Sequence, residues 1–227
     1  MKQPDIALWK LLGVLYKPHP WHGVSPGSDA PKVLQCFVEV VPSDTVKYEI
    51  DKVTGYLKLD RPQKYSSICP ALYGFVPQTL CAERVAEFSS LQTGRKLEGD
   101  GDPLDICILT DRPIHHGNLL VDCIPIGGLR MVDQNEADDK IVAVLKNDAS
   151  YGALTDIDQV ARPILDRLRH YFVSYKQSPD VEVPTCEITH VYGREEAHEV
   201  IVRSLADYHQ LFGSIEEMLS TALEAAR

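Results

Sequence analysis

The chain has 227 residues, a hydrophobic fraction of 44% and a charged fraction of 25%, values that are ordinary for a folded globular protein with a substantial core. Its formal net charge of −10 argues against broad nucleic-acid binding, because the average surface repels a polyanion. A small phosphate ligand remains compatible with this charge, since metal ions and a few local cations can reverse the potential inside one cleft.

The first 31 residues predict a helix followed by a tether. Ile6 to Tyr16 is apolar but short, and Lys10 interrupts it. The segment is therefore a poor signal peptide and too short to span a bilayer, so we expect an amphipathic helix and no membrane segment. Lys17 to Pro31 is rich in Pro, Gly, His and Ser, a composition typical of a loop.

The middle of the chain shows the alternation and the β-branched runs that indicate strands. In Val46–Ile50, for example, the apolar side chains point one way while Lys47 and Glu49 point the other. The predicted strands are Val33–Val41, Val46–Ile50, Tyr56–Asp60, Asp105–Thr110, Leu119–Ile124, Ile126–Val132 and Lys140–Leu145.

Helices are predicted mainly toward the C-terminus. Asp158 to Phe172 is capped by Asp158 and has Pro163 in its first turns. Glu195 to Phe212 has apolar residues at helical spacing, and Ser214 to Ala226 begins with a capping box. Strands followed by helices predict an α+β fold whose mainly β core is a small antiparallel barrel with flanking helices.

Three aspartates stand close together directly before an apolar strand. Asp100, Asp102 and Asp105 lie within the run DGDPLD, where a glycine lets the backbone turn and a proline stiffens it. Carboxylates packed this closely repel one another unless a cation lies between them. A calcium EF-hand is excluded, because Leu104 occupies the position of an oxygen ligand. A solvated acidic turn remains the alternative.

A second acidic run, from Asp133 to Lys140, lies between two predicted strands. Taken alone, this run is more simply interpreted as a solvent-exposed loop. If both acidic loops meet at one mouth of the barrel, however, their oxygen-only ligands would select hard ions such as Mg²⁺. Two such ions can bind a water molecule between them and make it nucleophilic.

Basic residues are dispersed around these acidic runs. Lys47 lies on a strand, Arg61 ends the next strand, Lys140 follows the second acidic run, and Lys176 follows a predicted helix. Acidic metal ligands combined with cations are the equipment of phosphoryl transfer, in which positioning and charge neutralisation dominate. The chain contains no P-loop, GxSxG or HExxH motif, and its six cysteines form no CxxC pair. We expect reduced, buried thiols in a cytoplasmic protein.

These residues resemble the soluble family I inorganic pyrophosphatases. DGDPLD matches the family signature Asp-x-Asp-Pro-x-Asp, and the resemblance extends in family order from Val33 to Lys176. It includes Phe37–Pro42, Lys47–Lys52, Gly55 with Asp60 and Arg61, Tyr73–Pro77, Asp133 with Asp138 and Lys140, and Tyr175–Lys176. The resemblance implies a five-stranded OB-like barrel and the hydrolysis of pyrophosphate with several Mg²⁺ ions per site.

The resemblance also implies a role for each matching residue. Asp102 would be the general base that accepts a proton from the nucleophilic water. The metal ligands would be Asp100, Asp105, Asp133, Asp138 and Glu49. The substrate ligands would be Lys47, Arg61, Tyr73, Lys140, Tyr175 and Lys176. Glu39 matches a glutamate in the site wall.

The chain departs from the family pattern in a few places. Cys69 stands where the bacterial form has tyrosine, and residues 81–98 look like an insertion ahead of the signature. We expect one domain over residues 1–227, with an N-terminal helix and tether over 1–31, a catalytic core over 33–176 and a C-terminal strand and helices over 177–227. We also expect a homo-oligomer.

Two other functions are weighed against the pyrophosphatase. A non-catalytic OB-type module that binds single-stranded nucleic acid should be basic with exposed aromatic residues, whereas this chain is acidic. Another magnesium phosphohydrolase, acting on nucleotides or phosphate esters, shares the metal chemistry but needs a pocket for the organic group.

Overall fold

The computed structural model describes residues 17–177, Asp180 and residues 185–214. The helix predicted at Ile6–Tyr16 lies outside this part of the chain, and so does the predicted last helix beyond Ser214. In the described part, Lys17–Pro31 contains turns and neither a helix nor a strand, as its composition predicts.

Ten strands and three α-helices are assigned within the described residues. The strands are β1 Leu34–Val40, β2 Val46–Ile50, β3 Leu57–Pro62, β4 Leu72–Phe75, β5 Glu98–Gly99, β6 Asp105–Leu109, β7 Leu119–Asp133, β8 Glu136–Ala137, β9 Lys140–Leu145 and β10 Cys186–Gly193. The helices are α1 Glu83–Thr93, α2 Arg162–Ser174 and α3 Arg194–Phe212, with a short 3-10 turn at Ile157–Gln159.

Five of the strands close into a ring in the order β1, β4, β6, β9, β7 and back to β1. Four of the five pairings are antiparallel, and the β6–β9 pairing is parallel. The predicted five-stranded, OB-like barrel in an α+β fold is thereby confirmed. β10 extends the sheet beyond β7, while β2 and β3 form a separate hairpin.

Alternating side chains of the barrel strands pack into two hydrophobic clusters. In β6, Ile106 and Ile108 join the cluster that contains apolar residues of α3, whereas Cys107 and Leu109 join the cluster that contains residues of α2. Because both faces of β6 and β9 are buried, these strands read as continuous apolar runs. The ring is therefore held between helices, and its polar residues concentrate at the strand ends.

The two strands predicted at Leu119–Ile124 and Ile126–Val132 form one continuous strand, so that division is wrong. Pro125, which lies between the two predicted strands, cannot donate a ladder hydrogen bond. The structure accommodates it with a register shift between Pro125 and Gly127 against β9. A bulge of this kind bends a strand without ending it.

The helix predicted from Asp158 to Phe172 begins later than expected. Asp156, not Asp158, accepts a hydrogen bond from a backbone N–H and caps the 3-10 turn, and α2 begins at Arg162. Pro163 fits in the first turn of α2, where its missing N–H costs nothing. The helix predicted at Glu195–Phe212 is confirmed, with Arg194 added at its start.

The insertion over residues 81–98 contains α1, which the sequence pattern did not predict. The carboxylate of Asp207 in α3 accepts hydrogen bonds from the backbone N–H groups of Ala82, Arg84 and Val85. It thus caps α1 from another helix and satisfies donors that the helix itself cannot satisfy. A cap more than a hundred residues away in the chain leaves no local signal.

All six cysteines are free and buried. Their burial agrees with the prediction of buried thiols. Within the described ranges, no helix combines the length and apolar character that crossing a bilayer requires.

Candidate active site

All thirteen residues predicted for the site line one cavity of about 240 Å³. They are Glu39, Lys47, Glu49, Arg61, Tyr73, Asp100, Asp102, Asp105, Asp133, Asp138, Lys140, Tyr175 and Lys176. Lys52 and Glu136, which sequence reasoning missed, also line it. The two acidic loops therefore meet at one mouth of the barrel.

The parallel pairing of β6 with β9 brings the two acidic runs together. Asp105 at the start of β6 is the register partner of Lys140 at the start of β9, so both strands begin at the cavity. Tyr73 in β4, next to β6, donates a hydrogen bond from its hydroxyl to Asp105 Oδ2 at 2.6 Å. The β2–β3 hairpin adds Lys47 and Arg61, which are register partners of each other.

Backbone groups of Asp102 help to hold the DGDPLD loop in place. The N–H of Asp102 donates to Asp100 Oδ1 at 2.9 Å, and the carbonyl of Asp102 accepts from the N–H of Cys81 at 2.8 Å. Gly101 has φ of 73°, in the left-handed region that glycine tolerates best. The loop conformation consequently does not depend on the Asp102 side chain, which is half exposed.

Lys140 is the central cation of the site. Its ammonium group donates to both Asp105 and Asp138, and only 2% of its side-chain surface is exposed. Burial lowers the pKa of Lys140, but the two carboxylates outweigh burial and hold that pKa well above its ordinary value. Lys140 therefore stays charged and shields two carboxylates from each other.

Among the described residues, no cation forms an ion pair with Asp100. Burial together with the nearby charge of Asp138 raises the pKa of Asp100 to about 8. Burial also raises the pKa of Asp105, although Lys140 opposes that shift. Asp100 therefore keeps its proton near neutral pH in the metal-free protein, which relieves part of the repulsion among the carboxylates of the site.

Most of the remaining cations form ion pairs with carboxylates at the rim of the cavity. Lys52 pairs with Asp102, Lys176 with Asp133 and Lys47 with Glu49. Arg61 pairs with its chain neighbour Asp60. Lys176 also lies 5.4 Å from the ring centroid of Tyr175, which follows the last residue of α2.

The donor chemistry of the cavity suits hard metal ions. Among the described residues, eight carboxylates and five cations line it and no histidine or cysteine does, and oxygen-only donors favour ions such as Mg²⁺. Within the described part of the chain, no group of three or more His, Cys, Asp or Glu side chains is arranged to hold a metal as it stands. The placement of Lys140 between Asp105 and Asp138 is a physical reason for that separation.

Glu39 in β1 is a buried acid at the wall of the cavity, with 6% of its surface exposed. Its Oε1 accepts a hydrogen bond from the N–H of Ile50 at 2.7 Å. Burial raises the pKa of Glu39 to about 8, and the hydrogen bond from Ile50 only partly opposes this. Glu39 is therefore protonated near neutral pH in the metal-free protein.

We predict that replacing Glu39 changes the pH dependence of the protein's stability. The folded protein keeps a proton on Glu39 up to about pH 8, whereas the unfolded chain releases it near the ordinary value of 4.5, so stability falls as pH rises between them. Glu39→Gln removes this loss and can still accept the Ile50 bond. We expect the variant to exceed wild type by more than about 1 kcal/mol at pH 8 and to match it at pH 4.

Urea unfolding in the presence of a chelator measures this effect. The free energy of unfolding is compared for the two proteins at both pH values. A Glu39→Gln protein that is no more stable than wild type at pH 8 would contradict the raised pKa.

Comparison with known proteins identifies the family. The family model for inorganic pyrophosphatase matches residues 36–209. The chain belongs to the inorganic pyrophosphatase family. It is 48% identical over 199 residues to the inorganic pyrophosphatase of Chlamydia muridarum, a span that covers 86% of this chain and 95% of the relative. The corresponding protein of Chlamydia trachomatis serovar L2 is 47% identical over the same coverage.

Solved structures agree with this family assignment. The crystal structure of inorganic pyrophosphatase from Thermus thermophilus superposes with a TM-score of 0.70 and 29% sequence identity, covering 85% of this chain and 99% of that one. The resemblance drawn from DGDPLD and its companion motifs is therefore confirmed.

The pyrophosphatase family pattern and this chain differ at Cys69, which is fully buried. Cys69 packs in the hydrophobic cluster that includes Tyr171 and Tyr175, and it is not among the residues that line the cavity. Cys69 therefore contributes no group to the cavity. Lys52, which sequence reasoning missed, closes the matched run Lys47–Lys52, so its position in that run was an available signal.

Proposed function

We propose that this protein hydrolyses inorganic pyrophosphate to two phosphates and that it requires Mg²⁺. The observation that carries the proposal is the convergence of the predicted acidic and basic residues on one small cavity, in a chain of the inorganic pyrophosphatase family. The cavity, about 240 Å³, is smaller than the usual range of pockets for drug-sized organic ligands. That size suits a small anion better than a nucleotide.

The acidic residues would hold several Mg²⁺ ions. Asp100, Asp105 and Asp138 are the ligands proposed for the activating ion, and Asp105 would also reach a second ion. Asp133, Asp138 and Glu49 are proposed to hold ions that arrive with substrate. The raised pKa of Asp100 supports this set, because a bound cation would take the place of the proton that this buried carboxyl group keeps near neutral pH. When bound, Mg²⁺ supplies charge neutralisation and lowers the pKa of a coordinated water.

Asp102 is proposed as the general base. It lies between Asp100 and Asp105 in the chain and lines the same cavity, but its side chain is half exposed, and in the described part of the chain its only ion pair is with Lys52. It can therefore accept a proton from the attacking water while the more buried aspartates hold metal. As the water oxygen bonds to one phosphorus, the bond from that phosphorus to the bridging oxygen would break, and the second phosphate would leave with the bridging oxygen.

The cations and tyrosines are proposed to hold the two phosphates. Lys47, Arg61, Lys140 and Lys176 supply charge, and a guanidinium group can bind two phosphate oxygens at once. The hydroxyls of Tyr73 and Tyr175 supply neutral donors. Burial raises the pKa values of both hydroxyls, so they remain protonated at neutral pH. These contacts neutralise the phosphate that departs.

A substrate comparison tests the proposed function. We expect the purified protein to release phosphate from pyrophosphate in Mg²⁺ and to lose that activity with excess chelator. A nucleoside triphosphate and a phosphate monoester should be turned over far more slowly. Equal activity without metal would refute the mechanism, and a preference for either organic substrate would favour a different magnesium phosphohydrolase.

We further propose that the protein acts in the cytoplasm as one domain that assembles into a homo-oligomer. The six free, buried cysteines support a reducing compartment, where disulfides are rare. Sedimentation velocity of the full chain measures the oligomeric state directly.

A further inference from the structure

A buried cluster of charges lies beside the second acidic run, from Asp133 to Lys140, but outside the lining of the cavity. Arg130 in β7 is fully buried, with Nη1 2.7 Å from Asp139 Oδ2 and Nη2 2.7 Å from Glu196 Oε1. Its guanidinium also lies 5.2 Å from the ring centroid of Phe88 and 4.9 Å from that of Tyr192. Because a buried ion pair contributes little net stability, what the pair holds in place is more informative than its strength.

The pair fixes the chain segment that carries two residues of the site. Asp138 and Lys140 line the cavity, whereas Asp139 between them is buried and bound to Arg130. Asp138 and Asp139 form the short connection between β8 and β9, so fixing the side chain of Asp139 restrains the backbone from which its two neighbours project. The backbone of Asp138 is also held, because its N–H donates a hydrogen bond to the carbonyl of Met131 at 3.0 Å.

Tyr192 adds a second donor to the same carboxylate. Its hydroxyl donates to Asp139 Oδ2 at 3.0 Å. Its ring lies so close to Gly128 that a Cβ there would be 2.4 Å from ring atoms. The ring therefore has little room to move, and Oδ2 of Asp139 is held between Tyr192 and Arg130.

We propose that Arg130 and Asp139 are positioning residues that orient Asp138 and Lys140 toward metal and phosphate. The inference rests on the proposed function for the roles of Asp138 and Lys140. Neither Arg130 nor Asp139 lines the cavity, so each acts through the segment from Asp138 to Lys140. Side chains that orient metal ligands from behind commonly change metal affinity when they are replaced.

Asp139→Asn tests the proposal with little change in shape. We expect the Kd for Mg²⁺, measured by calorimetry on the full chain, to rise by about 10- to 100-fold. We expect KM for pyrophosphate to rise as well, with a smaller change in kcat, because Asp102 is untouched. A role confined to stability would leave both Kd and KM at wild-type values.

Asp148→Asn is the matched control. Asp148 accepts hydrogen bonds from Thr110 Oγ1, from the N–H of Asp111 and from the N–H of Tyr151. It lies beyond the other ends of β6 and β9, away from the cavity. Replacing the Asp148 carboxylate should lower the melting temperature while leaving Kd for Mg²⁺ and KM unchanged.

Tyr192→Phe keeps the test decisive if Asp139→Asn fails to fold. It removes one donor to Asp139 and should raise Kd for Mg²⁺ in the same direction, by a smaller factor. Wild-type Kd in the folded variants, with only a lower melting temperature, would overturn the proposal. Calorimetry needs no turnover, so a wild-type protein that binds Mg²⁺ but does not cleave pyrophosphate refutes the proposed function separately.

Discussion

Asp102→Asn should reduce kcat for pyrophosphate by about 10²- to 10⁴-fold, the usual contribution of a positioned general base. The side chain is half exposed and pairs with Lys52 on the surface, so little stability depends on it. The loop keeps its conformation, because the hydrogen bonds that Asp102 supplies to it come from the backbone. KM and the Kd for Mg²⁺ should change far less than kcat.

Steady-state kinetics and calorimetry measure these quantities on the same preparation. Asp122→Asn is the control, since Asp122 in β7 is exposed and lies 3.9 Å from the ammonium group of Lys146. Its kcat should equal that of wild type. An Asp102→Asn protein that retains wild-type turnover would remove Asp102 from the role of base.

Several strands were predictable because they carry their signal locally, whereas the barrel strand β4 was not predicted. The alternation in β2 and the apolar runs of β6 and β9 depend on neighbouring residues, and each predicted boundary there agrees within a residue. What the sequence could not supply depends on distant partners. The cap of α1 comes from Asp207, and the continuity of β7 through Pro125 depends on pairing with β9.

The convergence of the site residues was predictable for a different reason. Their order matches a family pattern, and that pattern carries the three-dimensional arrangement with it. Composition alone does not separate Asp138 from Asp139, which are adjacent and chemically identical, and only the family pattern selected Asp138. In the structure, Asp138 lines the cavity, whereas Asp139 pairs with Arg130 in the interior.

Lys140→Met should destabilise the metal-free protein by about 3–5 kcal/mol, the usual result of removing one partner from buried charge pairs. Lys140 is the cation that Asp105 and Asp138 share, and Asp100 has no ion-pair partner among the described residues. Without Lys140, three carboxylates of the cavity repel one another with no cation between them. The variant should therefore gain more stability from Mg²⁺ than wild type gains, because the ion replaces a lost countercharge.

Urea unfolding at pH 8, in chelator and again in Mg²⁺, separates the two effects. Lys146→Met is the control, because Lys146 is an exposed lysine whose removal should leave both curves at wild type. KM for pyrophosphate should rise in Lys140→Met, because a proposed phosphate ligand is lost. If Lys140→Met unfolded like wild type in chelator and gained nothing extra from Mg²⁺, the carboxylates would not be competing for cations. The electrostatic basis of the proposed metal site would then be wrong, whatever the kinetics of the variant.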